Sequence, residues 1–235
     1  MTSTNKLGNS ERAKQALRFF KTGKGEYSEG DIFIGVRNPQ VRELVKKYYS
    51  LKFNELQIIL NSKIHEHRFS ALVILNHQMK QAIQKKDEEE IEKISSFYLK
   101  NTRNINNWDL VDISCPNILG AHILFDKSKT DILYSLAKSN DLWEKRISVV
   151  STLKLVRAEE LNDAIKLCRI HLYEEHDLMH KAVGWVLREV GKKDEKILID
   201  FLEKYASTMP RTALRYSLEK LDEKKRKYFM NLKNK

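Results

Sequence analysis

Four segments of this chain open on a basic residue and run on through small and aliphatic residues at helical spacing. They are Arg68-Phe-Ser-Ala-Leu-Val-Ile-Leu75, Arg146-Ile-Ser-Val-Val-Ser-Thr-Leu153, Lys181-Ala-Val-Gly-Trp-Val-Leu187 and Arg211-Thr-Ala-Leu-Arg-Tyr-Ser-Leu218. Their starts lie 78, 35 and 30 residues apart, and the widest gap has room for two units. A degenerate period of roughly 30–40 residues with two helices per unit leaves few options, because a helix pair of that size cannot bury its apolar face alone and must stack on its neighbours. The predicted fold is all-α, a HEAT-like helical-repeat solenoid. Its aligned helices would line one concave, basic face. Three prolines and eight glycines leave little turn material for a many-stranded alternative.

Taken in order, Ser10 can cap a helix to about residue 21, with Ala13, Leu17 and Phe20 on one face. Residues 22–36 hold four of the eight glycines and read as an ordered loop, since Tyr27, Ile32, Phe33 and Ile34 need burial or a ligand. Asn38-Pro39 starts the next helix as cap and first helical residue, with Val41, Leu44, Val45 and Tyr48 as its buried stripe. Helices are then expected at about 53–61, 65–84, 87–102, 107–125, 129–139, 141–157, 159–172, 176–190, 194–206, 210–220 and 222–231. The run Lys85-Lys86-Asp87-Glu88-Glu89-Glu90 reads as a turn followed by an acidic first helical turn, which suits the helix dipole. One domain over residues 1–235 is expected, with the helix and loop of residues 10–36 packed on repeats from about 37 onward.

Trp108 and Asp112 stand four apart in Asn106-Asn107-Trp108-Asp109-Leu110-Val111-Asp112, so a helix capped by Asn106 or Asn107 presents an indole and a carboxylate on one face. Pro116 should end the first helical segment near Cys115. Two readings stay open here: a core tryptophan with an aspartate bonded to a neighbouring helix end, or a site. If the repeats stack in register, Arg146 and Trp185 would converge with this pair on the concave wall. Arg68, Arg146, Lys181 and Arg211 would face phosphate near helix N-termini, although basic residues flanking core helices would give the same pattern. Trp185 follows Gly184, where the absent side chain lets something approach the helix backbone. Two tryptophans, a carboxylate and an arginine suit a cationic group on a phosphate backbone.

The charge balance points the same way. Lys plus Arg number 43 against 32 Asp plus Glu, a net charge of +11, which makes a polyanion the first partner to consider. No apolar run is long enough for a bilayer, and Cys115 and Cys168 sit in unrelated contexts, so a reduced, cytoplasmic setting is expected. His176 and His180 carry zinc-ligand spacing but no further ligand is evident, and Trp143 reads as packing.

Several segments, in this order along the chain, resemble the AlkD-like family of DNA alkylation repair enzymes. They are Phe19-Phe20-Lys21-Thr22-Gly23-Lys24-Gly25-Glu26-Tyr27 with Gly35-Val36-Arg37, Pro39-Gln40-Val41-Arg42, Asn107 to Asp112, Lys145 to Thr152, His180 to Lys192, and Met209-Pro210-Arg211-Thr212. Asn38 departs from the aliphatic residue usual before the proline. The resemblance implies a helical-repeat glycosylase that hydrolyses the N-glycosidic bond of N3- or N7-alkylated purines in double-stranded DNA. It implies no metal, no cofactor and no base flipping; a monomer with no membrane partner is expected beside it, and DNA binding would bring nucleoid association. By that likeness Asp112 is the catalytic carboxylate, Trp108 and Trp185 embrace the deoxyribose, and Arg146 binds the backbone, with Tyr27 and Arg188 as further DNA contacts. The competing expectation is a non-catalytic helical-repeat scaffold that binds DNA or protein.

Overall fold

The computed structural model describes residues 2–232. Its elements are helices, and among the described residues β pairing is limited to one parallel bridge between Ile32 and Ile64. In order they are α1 Thr2–Asn5, α2 Ser10–Phe19, α3 Asn38–Val45, α4 Phe53–Leu60, α5 His65–Lys85, α6 Glu88–Lys100 and α7 Trp108–Phe125. They continue with α8 Asp131–Ala137, α9 Leu142–Ser151, α10 Leu153–Arg157, α11 Asn162–Ile170, α12 Asp177–Lys193, α13 Glu195–Tyr205, α14 Arg211–Ser217 and α15 Glu223–Asn231. The chain divides into two compact units, and the division falls between Ile118 and Leu119, inside α7. None of these helices is long and apolar enough to cross a membrane.

In the first unit α5 is central and packs against α3, α4 and α6. Every residue from His65 to Leu75 is buried, including the four polar residues of its first turn, His65, Glu66, His67 and Arg68. Those polar groups organise the loop of residues 22–36. The Glu66 carboxylate accepts from the backbone N–H groups of Ile34 at 3.1 Å, Gly35 at 2.7 Å and Val36 at 3.3 Å. Only glycine suits position 35, where φ is +75° and a Cβ would sit 2.2 Å from the Asn9 carbonyl oxygen. Phe33 is buried as expected, whereas the Ile32 side chain faces outward, because its backbone is committed to Lys63 and His65 across the bridge.

Caps shift the expected helix starts by a residue. Asn9, not Ser10, accepts from Arg12 N–H at 2.9 Å to open α2, and Arg37 precedes α3, which places Asn38 inside the helix. Leu17, expected on the packed face of α2, is 40% exposed. Asp87 caps α6 after Lys86 turns the chain through the left-handed region, as the charge pattern there suggests. Thr152 divides the helix expected over 141–157 into α9 and α10.

Pro116 does not end the helix; α7 runs through it to Phe125. An internal proline costs about 3 kcal/mol through its lost N–H and ring clash. Burial outweighs that here, with Leu110, Val111, Cys115, Ile118 and Leu119 all at 0% exposure. The backbone beside the proline is also supported, since the Asn76 and Asn117 amides each donate to the Ile113 carbonyl at 2.9 Å.

The second unit carries the repeat most plainly. Helix α9 packs on α12 and α12 on α14, so the segments beginning at Arg146, Lys181 and Arg211 are neighbours in space as in the sequence pattern. Partner helices α8, α11 and α13 pack against the same row. Gly184 is explained by this stacking: a Cβ there would lie 2.5 Å from the Ala213 carbonyl oxygen and 2.5 Å from Tyr216 Cβ. The neighbour that approaches the backbone is helix α14, not a ligand. Gly184→Ala gains about 1 kcal/mol of helix propensity but overpacks this crossing at a cost of about 1–3 kcal/mol. We expect a melting point a few degrees lower by calorimetry; an unchanged or higher value would mean α14 moves aside freely.

Candidate functional site

Helix α7 begins by placing Trp108 and Asp112 one turn apart, both half-buried. Trp108 lies nearly parallel to Phe20, ring centroids 5.5 Å apart and planes at 21°, and meets Phe19 edge-on at 5.8 Å. Phe20 stacks in turn on Phe33 at 4.8 Å, and Phe33 on the His65 imidazole at 4.6 Å. The indole therefore forms one end of an aromatic column, which fixes its plane. Further into the unit, Asp112 adds to the burial that pushes the Tyr98 hydroxyl well above its usual range.

Beneath Trp108 is a charged network that sequence reasoning missed. His65 Nε2–H donates to Asp109 Oδ2 at 2.8 Å and Nδ1 faces Asp31 Oδ2 at 3.4 Å, while Arg68 donates to Asp31 Oδ1 at 2.7 Å and to the Ser62 carbonyl at 3.1 Å. Burial works against a charged imidazole, but the Asp109 charge and hydrogen bond, helped by Asp31, prevail and push His65 up to about 9. Burial likewise opposes the Asp31 carboxylate, and the His65 and Arg68 interactions overcome it, so its pKa is lowered. Asn107 does not cap α7 through its side chain. Its carbonyl accepts from Val111 N–H at 3.1 Å, while its amide donates to Ser28 Oγ at 2.5 Å and ties the loop to the helix start. The available signal was the polar run His65-Glu66-His67-Arg68 at the head of an otherwise apolar helix, together with Asp109 beside Trp108.

The basic residues divide into two kinds. Arg68 is 5% exposed and spent on Asp31, so it is not presented to a phosphate; the recurrence of a basic residue here serves packing. Arg146 is 4% exposed and donates to the Leu178 carbonyl, fastening α9 to the start of α12. Lys181 is partly exposed and pairs with Asp177 at 2.7 Å. Arg188 is largely covered and paired with Glu219 and Glu189. Arg211 is exposed and donates to the Met230 carbonyl at 2.8 Å. Tyr27 is half-buried in the loop and Trp185 half-buried on α12, one turn beyond Lys181.

Other polar groups have local duties. His176 caps α12 by accepting from Leu178 N–H at 3.1 Å, and His180 donates to the Glu174 carbonyl at 2.5 Å. Among the described residues no three or more His, Cys, Asp or Glu are grouped to hold a metal ion. Ser148, His171 and Glu174 line up at 3.0 and 3.4 Å like a hydrolytic triad. Yet Ser148 and His171 have no exposure, and the Ser148 hydroxyl donates to the Lys145 carbonyl at 2.7 Å, so His171 must be the donor to Ser148. Trp143 is buried, as packing requires.

Compared with known proteins, residues 2–221 match the family model described as DNA alkylation repair enzyme. No curated protein matches the sequence significantly. A solved structure of a predicted DNA alkylation repair enzyme from Enterococcus faecalis superposes with a TM-score of 0.71 at 17% identity, over 92% of this chain and 98% of that one. At that identity the likeness establishes the helical fold alone.

Proposed function

The chain belongs to the DNA alkylation repair enzyme family, and on that premise we propose that it is a DNA glycosylase acting on duplex DNA that carries N3- or N7-alkylated purines. The supporting observation is the pairing of Trp108 and Asp112 at the start of α7, with the indole plane held by Phe20 and His65 bonded to Asp109 one residue away. An N3- or N7-alkylated purine is cationic, so it departs with the C1′–N bond pair as a neutral base and needs little acid assistance. The difficult part is the positive charge left on the sugar and the water that must add to C1′. Asp112 is proposed to stabilise that charge and to take up the proton of the attacking water, as a carboxylate does in glycoside hydrolysis. Trp108 offers its face to the cationic sugar, and the resemblance assigns Trp185 a like role and Arg146 a hold on the backbone. Substrates such as N3-methyladenine and N7-methylguanine follow from this chemistry. No flipping pocket, metal or cofactor is invoked, and the chain is taken to act as a monomer. The test is base release from methylated duplex; binding without release would leave a DNA-binding helical scaffold.

Affinity should be sequence-independent and salt-sensitive, with a log–log slope that loses about one unit per phosphate contact removed. Lys181→Ala and Arg211→Ala should each flatten it by about one unit. Arg68→Ala should not, because that guanidinium faces Asp31. A slope near zero for the wild-type chain would point the basic residues away from nucleic acid.

A further inference from the structure

Among the described residues Phe19 is the most exposed of the large apolar side chains, at 64%, although it touches two other rings. It is edge-on to Phe20 at 5.0 Å and to Trp108 at 5.8 Å, so it extends the aromatic column from the candidate site into solvent. The chain does not drift here. Thr22 N–H bonds to the Leu17 carbonyl at 3.3 Å and Lys21 N–H to that of Arg18 at 3.4 Å, the two bonds of a Schellman helix end. That closure puts Lys21 at φ +52°, where glycine is the favoured residue, so a lysine is held in left-handed backbone at some cost. The following turn is equally tied, with Gly23 N–H on the Glu26 carboxylate at 2.8 Å and Gly25 N–H on that of Glu29 at 2.7 Å.

The charge around Phe19 completes the picture. Arg18, Lys21 and Lys24 are all exposed, and none forms an ion pair with the described residues. By contrast Lys181 and Arg188, residues expected to meet phosphate, already have carboxylate partners. Unpaired surface lysines are common elsewhere on the chain. Arg18 and Lys21 lie within two residues of an exposed ring that abuts Trp108, and Lys24 follows in the tied turn. Cations at the end of α2 also suit its dipole, but that accounts neither for exposed Phe19 nor for Lys24 beyond the helix.

We propose that residues 18–24 are a DNA-contact element, in which Phe19 packs on a sugar or base beside the one facing Trp108 and Arg18, Lys21 and Lys24 take backbone phosphates. Interleaved aromatic and basic groups on an ordered turn suit a strand of nucleic acid, because the ring supplies a contact without charge and the cations release counterions. The element rests on the DNA reading above and extends it to a segment that reading leaves idle.

The two kinds of contact are separable by salt. Anisotropy of a labelled, undamaged duplex would be followed over a potassium chloride series, with thermal melting as the folding control. The triple variant Arg18→Ala, Lys21→Gly, Lys24→Ala, which keeps a residue suited to φ +52° at 21, should flatten the salt slope by roughly 2–3 units. Phe19→Ala should weaken binding about 5- to 50-fold at fixed salt and leave the slope as it was. Phe19→Leu, which retains apolar bulk but no ring face, should recover only part of that loss. Folded variants with wild-type affinity and slope would overturn the proposal, while a wild-type chain that binds and excises would leave the parent reading standing. A wild-type chain that does not bind DNA would overturn both.

Discussion

Asp112→Asn is expected to release N3-methyladenine and N7-methylguanine from methylated duplex about 10²–10³ times more slowly than the wild-type chain. The amide keeps the size of the carboxylate and much of its hydrogen bonding. It loses the negative charge opposite the developing positive sugar, and loss of a well-placed electrostatic stabiliser costs about 3–4 kcal/mol of barrier. Affinity for undamaged DNA should change little, since a carboxylate near phosphates does not assist ground-state binding. Trp108→Ala should instead reduce both lesion engagement and rate, because it removes the ring face and one end of the column with Phe20 and Phe33. Base release at the wild-type rate by folded Asp112→Asn protein would take that carboxylate out of the mechanism.

Arg68→Ala is expected to remove roughly 3–5 kcal/mol of folding stability, because it leaves the Asp31 carboxylate, buried beside it, short of a partner. The same network sets a pH dependence whose sign follows from the shifts. His65, raised to about 9, binds its proton more tightly folded than unfolded. Its contribution is complete below an unfolded value of about 6.5 and is lost as pH rises toward 9. Asp31, lowered, contributes above about 4 and loses that contribution as pH falls through its folded value. Urea unfolding between pH 4 and 10 should show a plateau from about 4.5 to 6.5 and a decline above it. His65→Gln should flatten the decline between 6.5 and 9. An unchanged slope in that variant would show that His65 is not the group responsible.

The two results bear on the same place, since the charged network holds the residue next to Trp108. Asp109 fastens the first turn of α7 to α5, and Asn107 fastens it to the loop of residues 22–36. A variant that loosens this anchoring should therefore lose activity at temperatures well below its own melting point, whereas Asp112→Asn should lose activity with its melting unchanged.

Much was legible in sequence because it depends on residues close together in the chain. Hydrophobic spacing placed α5, α6 and α7 to within a few residues, and the basic-to-aliphatic recurrence identified α9, α12 and α14 as equivalent helices. The i, i+4 relation of Trp108 and Asp112 needs only a helix. Side-chain destinations were another matter. Arg68 carries the same sequence signature as an exposed phosphate ligand, but a guanidinium also serves to bond a carboxylate in the interior, and local pattern does not tell these apart.

What the sequence by itself determined is the helical class, the repeat and the shared face of Trp108 and Asp112, because periodicity and net charge are properties of neighbours along the chain. Tertiary structure alone decided the continuation of α7 through Pro116, the neighbour that occupies the space beside Gly184, and the pairing of His65 with Asp109, 44 residues apart. Those outcomes depend on which distant groups share a buried volume. There an unpaired charge or an empty space costs more than a broken local preference.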